Sequence, residues 1–129
     1  NECTLEKFAK ISSSTPIGLT VYGRIPLMLT RNCSVKNGKT CAECKRESYI
    51  TDRMGIKFPV RCQMGYSEIL NSRPIYMADR MGEIPDCDIM FFNFTTESKY
   101  DVERVISAYE NEEKSTGEFT RGLLYRGVE

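Results

Sequence analysis

Six cysteines and no histidine set the chemistry open to this chain of 129 residues. Four cysteines share one stretch, spaced Cys33-x7-Cys41-x2-Cys44-x17-Cys62, while Cys3 and Cys87 lie outside it. Three readings compete. In the first, thiolates ligate a metal or a cluster: the Cys41/Cys44 pair lets two sulfurs converge, and Cys33 and Cys62 bracket the loop to supply two more. In the second, an even cysteine count makes disulfides, a reading supported by two glycosylation sequons, Asn32-Cys33-Ser34 and Asn93-Phe94-Thr95. The third is a set of buried free thiols. Disulfides are disfavoured because the second sequon sits in a run of phenylalanines, and because Cys41 and Cys44 are too close to pair outside a redox motif.

Zinc ribbons carry two C-x2-C knuckles, and this chain has one. An all-cysteine [4Fe–4S] site is net negative, and Arg24, Arg31, Lys36, Lys39, Lys45 and Arg46 would offset that charge. Basic neighbours also lower thiol pKa values, which favours ligation of either metal. The charge argument leans towards a [4Fe–4S] cluster and leaves zinc as the alternative. The missing histidine excludes Ser-His-Asp and Cys-His catalysis and every His-containing metal site within this chain. It also removes the usual general base near neutral pH.

Eighteen basic residues balance eighteen acidic ones, but they are separated along the chain. Arg24 to Arg61 holds nine basic against three acidic residues, or +6, and Cys62 to the end holds seven against thirteen, or −6. The basic segment is also the cysteine segment. Arg24, Arg31, Lys36, Lys45 and Arg53 are therefore candidates for holding a phosphate backbone or an anionic co-substrate. For each of them the competing reading is a solvated charge or a local ion pair. Tyr22 and Tyr49 are candidates for stacking on a base, against packing in a core or loop.

The elements that must position these groups read as α/β. Thr4–Ser12 has helical spacing, and Ile17–Tyr22 is a continuous apolar run ended by Gly23, the pattern of a strand buried on both faces. Ile25–Leu29 continues apolar. From Thr30 to Gly55 the pattern vanishes, giving a long loop that needs something to hold it. Lys57–Arg61 reads as a strand, a short helical pattern follows Pro74, and Ile89–Phe94 is the clearest buried strand. Val102, Val105, Ile106 and Tyr109 mark a helix, with Ser98 and Asp101 as a capping box. Phe119–Val128 has some strand character. Forty per cent apolar and 28% charged residues make this globular composition, about one domain's worth of sequence. No run approaches the length of a membrane span, and no secretory leader pattern is visible, so a cytoplasmic protein is expected.

Several sequence words are specific. Val21-Tyr22-Gly23-Arg24-Ile25-Pro26-Leu27-Met28 leads to Arg31-Asn32-Cys33. Cys41-Ala42-Glu43-Cys44, Thr51-Asp52-Arg53-Met54-Gly55, Phe58-Pro59-Val60 and Glu68-Ile69-Leu70-Asn71-Ser72 follow in order, before Thr120-Arg121-Gly122 and Tyr125-Arg126-Gly127-Val128-Glu129. Over nearly its whole length the chain resembles the C-terminal part of the collagenase-like peptidase (U-32) family. The resemblance implies a fragment of a (β/α) TIM-like barrel, its last strands and helices with a long cysteine-bearing loop at about residues 30–62, cut from a longer prokaryotic protein. It implies Cys33, Cys41, Cys44 and Cys62 as ligands of a [4Fe–4S] cluster, since relatives use such a cluster to hydroxylate RNA bases and quinone precursors. An iron–sulfur-dependent, hydroxylase-like enzyme acting on RNA or a small aromatic substrate is the favoured expectation for the full-length protein. A peptidase with a peptide substrate and a non-catalytic, metal-stabilised module are the alternatives. Without its missing N-terminal barrel portion the fragment is expected to be inactive and prone to homodimerise through open strand edges.

Overall fold

The computed structural model describes residues 4–11, 14–33, 48–63 and 65–125. The chain divides into two compact units, Asn1–Gly23 with Arg73–Glu129, and Arg24–Ser72.

The first unit begins with helix α1 (Leu5–Ala9), capped by Thr4 and burying Leu5 and Phe8. Strand β1 (Gly18–Gly23) pairs in parallel with β6 (Ile89–Asn93). Two glycines make that pairing possible. A Cβ on Gly18 would lie 2.2 Å from the Phe91 ring, and one on Gly23, whose φ is +125°, would lie 2.3 Å from the Asn93 carbonyl oxygen. A 3-10 helix spans Ala78–Glu83, and helix α2 covers Lys99–Glu110. The expected capping box starts α2: Ser98 accepts from the Asp101 amide, and Asp101 accepts from the Ser98 amide.

Tyr109, on the buried face of α2, holds this unit together. Its hydroxyl donates to the Val21 carbonyl at 2.7 Å and accepts from the Met77 amide at 2.8 Å, joining helix, strand and the start of the 3-10 segment. Its ring meets Phe92 edge-on at 4.7 Å between centroids and Tyr76 at 5.5 Å. Arg121 adds a second tie, donating to the Tyr76 carbonyl and pairing with Asp79 at 2.8 Å.

The second unit is a four-stranded antiparallel sheet in the order β2-β5-β4-β3, from β2 (Pro26–Thr30), β3 (Ser48–Thr51), β4 (Lys57–Gln63) and β5 (Tyr66–Leu70). Strands β3, β4 and β5 form a meander, and β2 closes on the other side of β5. Val60, Ser67 and Ile69 are buried on one face of it. Asp52 sets the β3–β4 turn: one carboxylate oxygen accepts from the amides of Met54 and Ile56, and Gly55 takes a φ of +81°.

The expected (β/α) barrel fragment is corrected by this topology. A barrel alternates each parallel strand with a helix. Here, among the described residues, β1 and β6 are the single parallel pair. The remaining strands form an antiparallel sheet, accompanied by two α-helices and one 3-10 helix. After β1 the chain enters β2 rather than a crossover helix, and each tight β-turn that follows can only return the strand antiparallel. The buried run Ile17–Tyr22 and the helix around Tyr109 were both legible, but neither fixes what lies between them.

Candidate metal-thiolate site

The register of the second unit gathers its two described cysteines at one end. Thr30, the last residue of β2, pairs with Ser67, and Ser67 pairs on its other side with Cys62 of β4. Cys33 follows Thr30 by three residues, past a turn in which the Asn32 amide donates to the Thr30 hydroxyl at 3.1 Å. Ser48, the first residue of β3, pairs with Val60, two residues along β4 from Cys62. The segment that carries Cys41 and Cys44 therefore leaves the sheet and re-enters it at the same end. Cys41 and Cys44, with Lys36 and Lys45, lie outside the described residues.

Both described thiols are free. Cys33 is half-buried, and Cys62 is exposed with its sulfur 3.7 Å from the Ser67 hydroxyl. Ser67 is the buried polar residue of this face, held against the cysteine row. No pattern in the sequence marked it, because its partner is fixed by strand register. Cys87 belongs to the other unit, just before β6. Cys3 lies outside the described residues.

The basic candidates are spread over the sheet rather than converging. Arg31 sits beside the cysteine end, its guanidinium 5.8 Å from the centre of the Tyr66 ring. Arg24 donates to the carbonyl oxygens of Asn71 and Ser72, so part of its guanidinium serves as a backbone strut. Arg53 occupies the β3–β4 turn, beyond the Thr51–Lys57 pair at the opposite end of the sheet. Lys57 and Cys62 lie five positions apart on β4, roughly 17 Å of strand.

The carboxylates that could act as a base are committed elsewhere. Asp52 locks its turn, and one Glu68 carboxylate oxygen, Oε2, accepts from Arg61 Nε at 2.8 Å and lies 2.5 Å from Arg61 Nη2. Tyr22 is buried in the aromatic cluster of the first unit, whereas Tyr49 is exposed beneath the Lys57 ammonium. Among the described residues no three cysteine or carboxylate groups converge as a metal site, and two of the four expected thiols are not among them. Nor is any helix there long and apolar enough to cross a membrane. No family model, curated protein or solved structure matches the chain.

Proposed function

We propose that the end of the sheet formed by Thr30–Cys33, Ser48 and Cys62 is a thiolate metal centre, completed by Cys41 and Cys44. The observation that carries this reading is the strand register, which brings Cys33, Cys62 and both ends of the Cys41/Cys44 segment to the same end of the strands of one sheet. Free thiols at Cys33 and Cys62 and the basic composition of the surrounding segment fit an anionic all-cysteine donor set. When bound, a [4Fe–4S] cluster would supply one-electron redox chemistry. The protein's share is to hold the four thiolates, to offset their charge, and to shelter one side of the centre with the buried Ser67 face.

The activity proposed is that of an iron–sulfur-dependent, hydroxylase-like modifying enzyme of the collagenase-like peptidase family, with RNA or a small aromatic compound as substrate. Peptide hydrolysis is less well supported, because Asp52 and Glu68 are engaged in holding the sheet and histidine is absent. Chelation separates the two readings. Peptide cleavage by the anaerobically purified protein that persists after iron removal would favour hydrolysis. Substrate modification that is lost with the iron and regained on reconstitution supports the cluster.

A further inference from the structure

Two strands in different units share the same unusual exposure. In β2, Leu27, Met28 and Leu29 are between 55% and 67% exposed, and in β6, Ile89, Met90 and Phe91 are between 42% and 50% exposed. Successive side chains of a strand point to opposite faces, so three exposed apolar residues in a row leave both faces uncovered. β2 ends its sheet, and β6 is paired with β1 on one side. Among the described residues no strand pairs with the outer edge of either. Edge strands are normally blunted by charges, prolines or bulges. Pro26 and the bulge at Leu27 blunt only the start of β2, and β6 has neither a proline nor a charge.

The two edges carry opposite charge. Arg24 and Arg31 flank β2, and no acidic residue lies between Arg24 and Cys33. The stretch around β6, Glu83 to Glu103, holds six acidic residues against one basic, Lys99. By whole units, Arg24–Ser72 holds nine basic against four acidic residues, a net charge of +5, and the other unit carries −5. Arg31 makes no ion pair among the described residues, whereas Arg24 is held by the Asn71 and Ser72 carbonyls. Asp86 and Asp88 stand exposed just before β6. Pairing β2 with another β2 would bring arginines together, and pairing β6 with another β6 would bring aspartates together. Each edge suits the other.

We propose that a second copy of this chain occupies these edges, β2 of one protomer adding antiparallel to β6 of its partner. That direction sets Arg31 beside Asp86 and Asp88 of the other copy. It joins β3-β4-β5-β2 of one protomer to β6-β1 of its partner as six strands. Backbone hydrogen bonds supply the joint, and the opposite charges choose which strand is added. Such a contact is heterologous, and two copies close it by making it twice, each lending β2 to the other. Neither strand carries a cysteine, so the contact does not depend on the thiolate centre.

Sedimentation equilibrium of the intact, anaerobically purified chain over a wide concentration range tests this. The wild-type chain should self-associate, and added salt should weaken the association as the opposite charges are screened. Met28→Glu puts a carboxylate on β2 against the acidic β6 edge, and Met90→Lys puts an ammonium on β6 against the basic β2 edge. Each should weaken self-association about a hundredfold. Thermal melting and iron content should stay at wild-type values, since both methionines are exposed. Mixed together, the two variants should form a one-to-one complex, because each new charge then meets its opposite. A wild-type chain that stays monomeric overturns the proposal. So does either variant self-associating like wild type, which would mark an edge that pairs with its own copy. A mixture of folded variants that stays monomeric overturns it as well.

Discussion

Thr30 and Cys62 occupy one row of the four-stranded sheet, each the cross-strand partner of Ser67 from opposite sides. Two strand spacings, about 10 Å, separate their backbones. From that row the chain runs on to Cys33, and the neighbouring strand begins at Ser48. The long loop is therefore pinned at both ends close to a fixed cysteine.

Cysteine substitutions should sort by place in the fold. Cys33→Ser and Cys62→Ser are expected to bring iron content down to background, as are Cys41→Ser and Cys44→Ser. Cys87→Ser, in the other unit, should leave iron at the wild-type level. Iron and sulfide assays on folded, anaerobically purified variants check this. Equal iron in the Cys62 and wild-type proteins would remove Cys62 from the donor set.

Asp52 tests whether a carboxylate near the cysteines in sequence is structural. Asp52→Ala leaves the Met54 and Ile56 amides without their acceptor. A loss of about 1–2 kcal/mol in unfolding free energy is expected, with little change in iron content. Chemical denaturation with parallel iron analysis reads both quantities.

Tyr109 predicts the alkaline limb of the stability curve. Burial pushes its hydroxyl well above the usual tyrosine range, with Tyr76 and Tyr22 adding to the shift. Above about pH 10 the unfolded chain releases this proton while the folded chain keeps it, so the unfolded state binds fewer protons. Stability is then fully present below pH ~10 and falls above it, by up to about 1.4 kcal/mol per pH unit from this one group. Tyr109→Phe should flatten that limb. At neutral pH it should cost about 1–3 kcal/mol, because Val21 and Met77 lose their partner.

What the sequence disclosed follows from how local each signal is. The α2 capping box lies within four residues, and the β1 and β6 runs are apolar enough to stand alone, so these elements were legible, but β6, expected as the clearest buried strand, leaves Ile89, Met90 and Phe91 exposed. Strand β3 is four residues long, within what looked like a structureless loop, and β5 mixes Tyr66, Ser67 and Glu68 before its apolar end. Neither announces itself until a partner strand is present. The Tyr109 hydroxyl bonds reach residues 88 and 32 positions away, beyond any periodicity. The barrel expectation came from the family resemblance, and the antiparallel meander between β1 and β6 broke it. At the site, cysteine spacing pointed to ligation, but Ser67 and the grouping of Cys33 with Cys62 emerged only from register.

Iron and acid-labile sulfide content, with a visible spectrum, on the anaerobically purified chain tests the iron–sulfur reading of the thiolate centre most directly. The account predicts about four irons and matching sulfide per chain, with a brown chromophore. About one zinc and no sulfide, or a colourless protein that stays metal-free after anaerobic reconstitution, would contradict it.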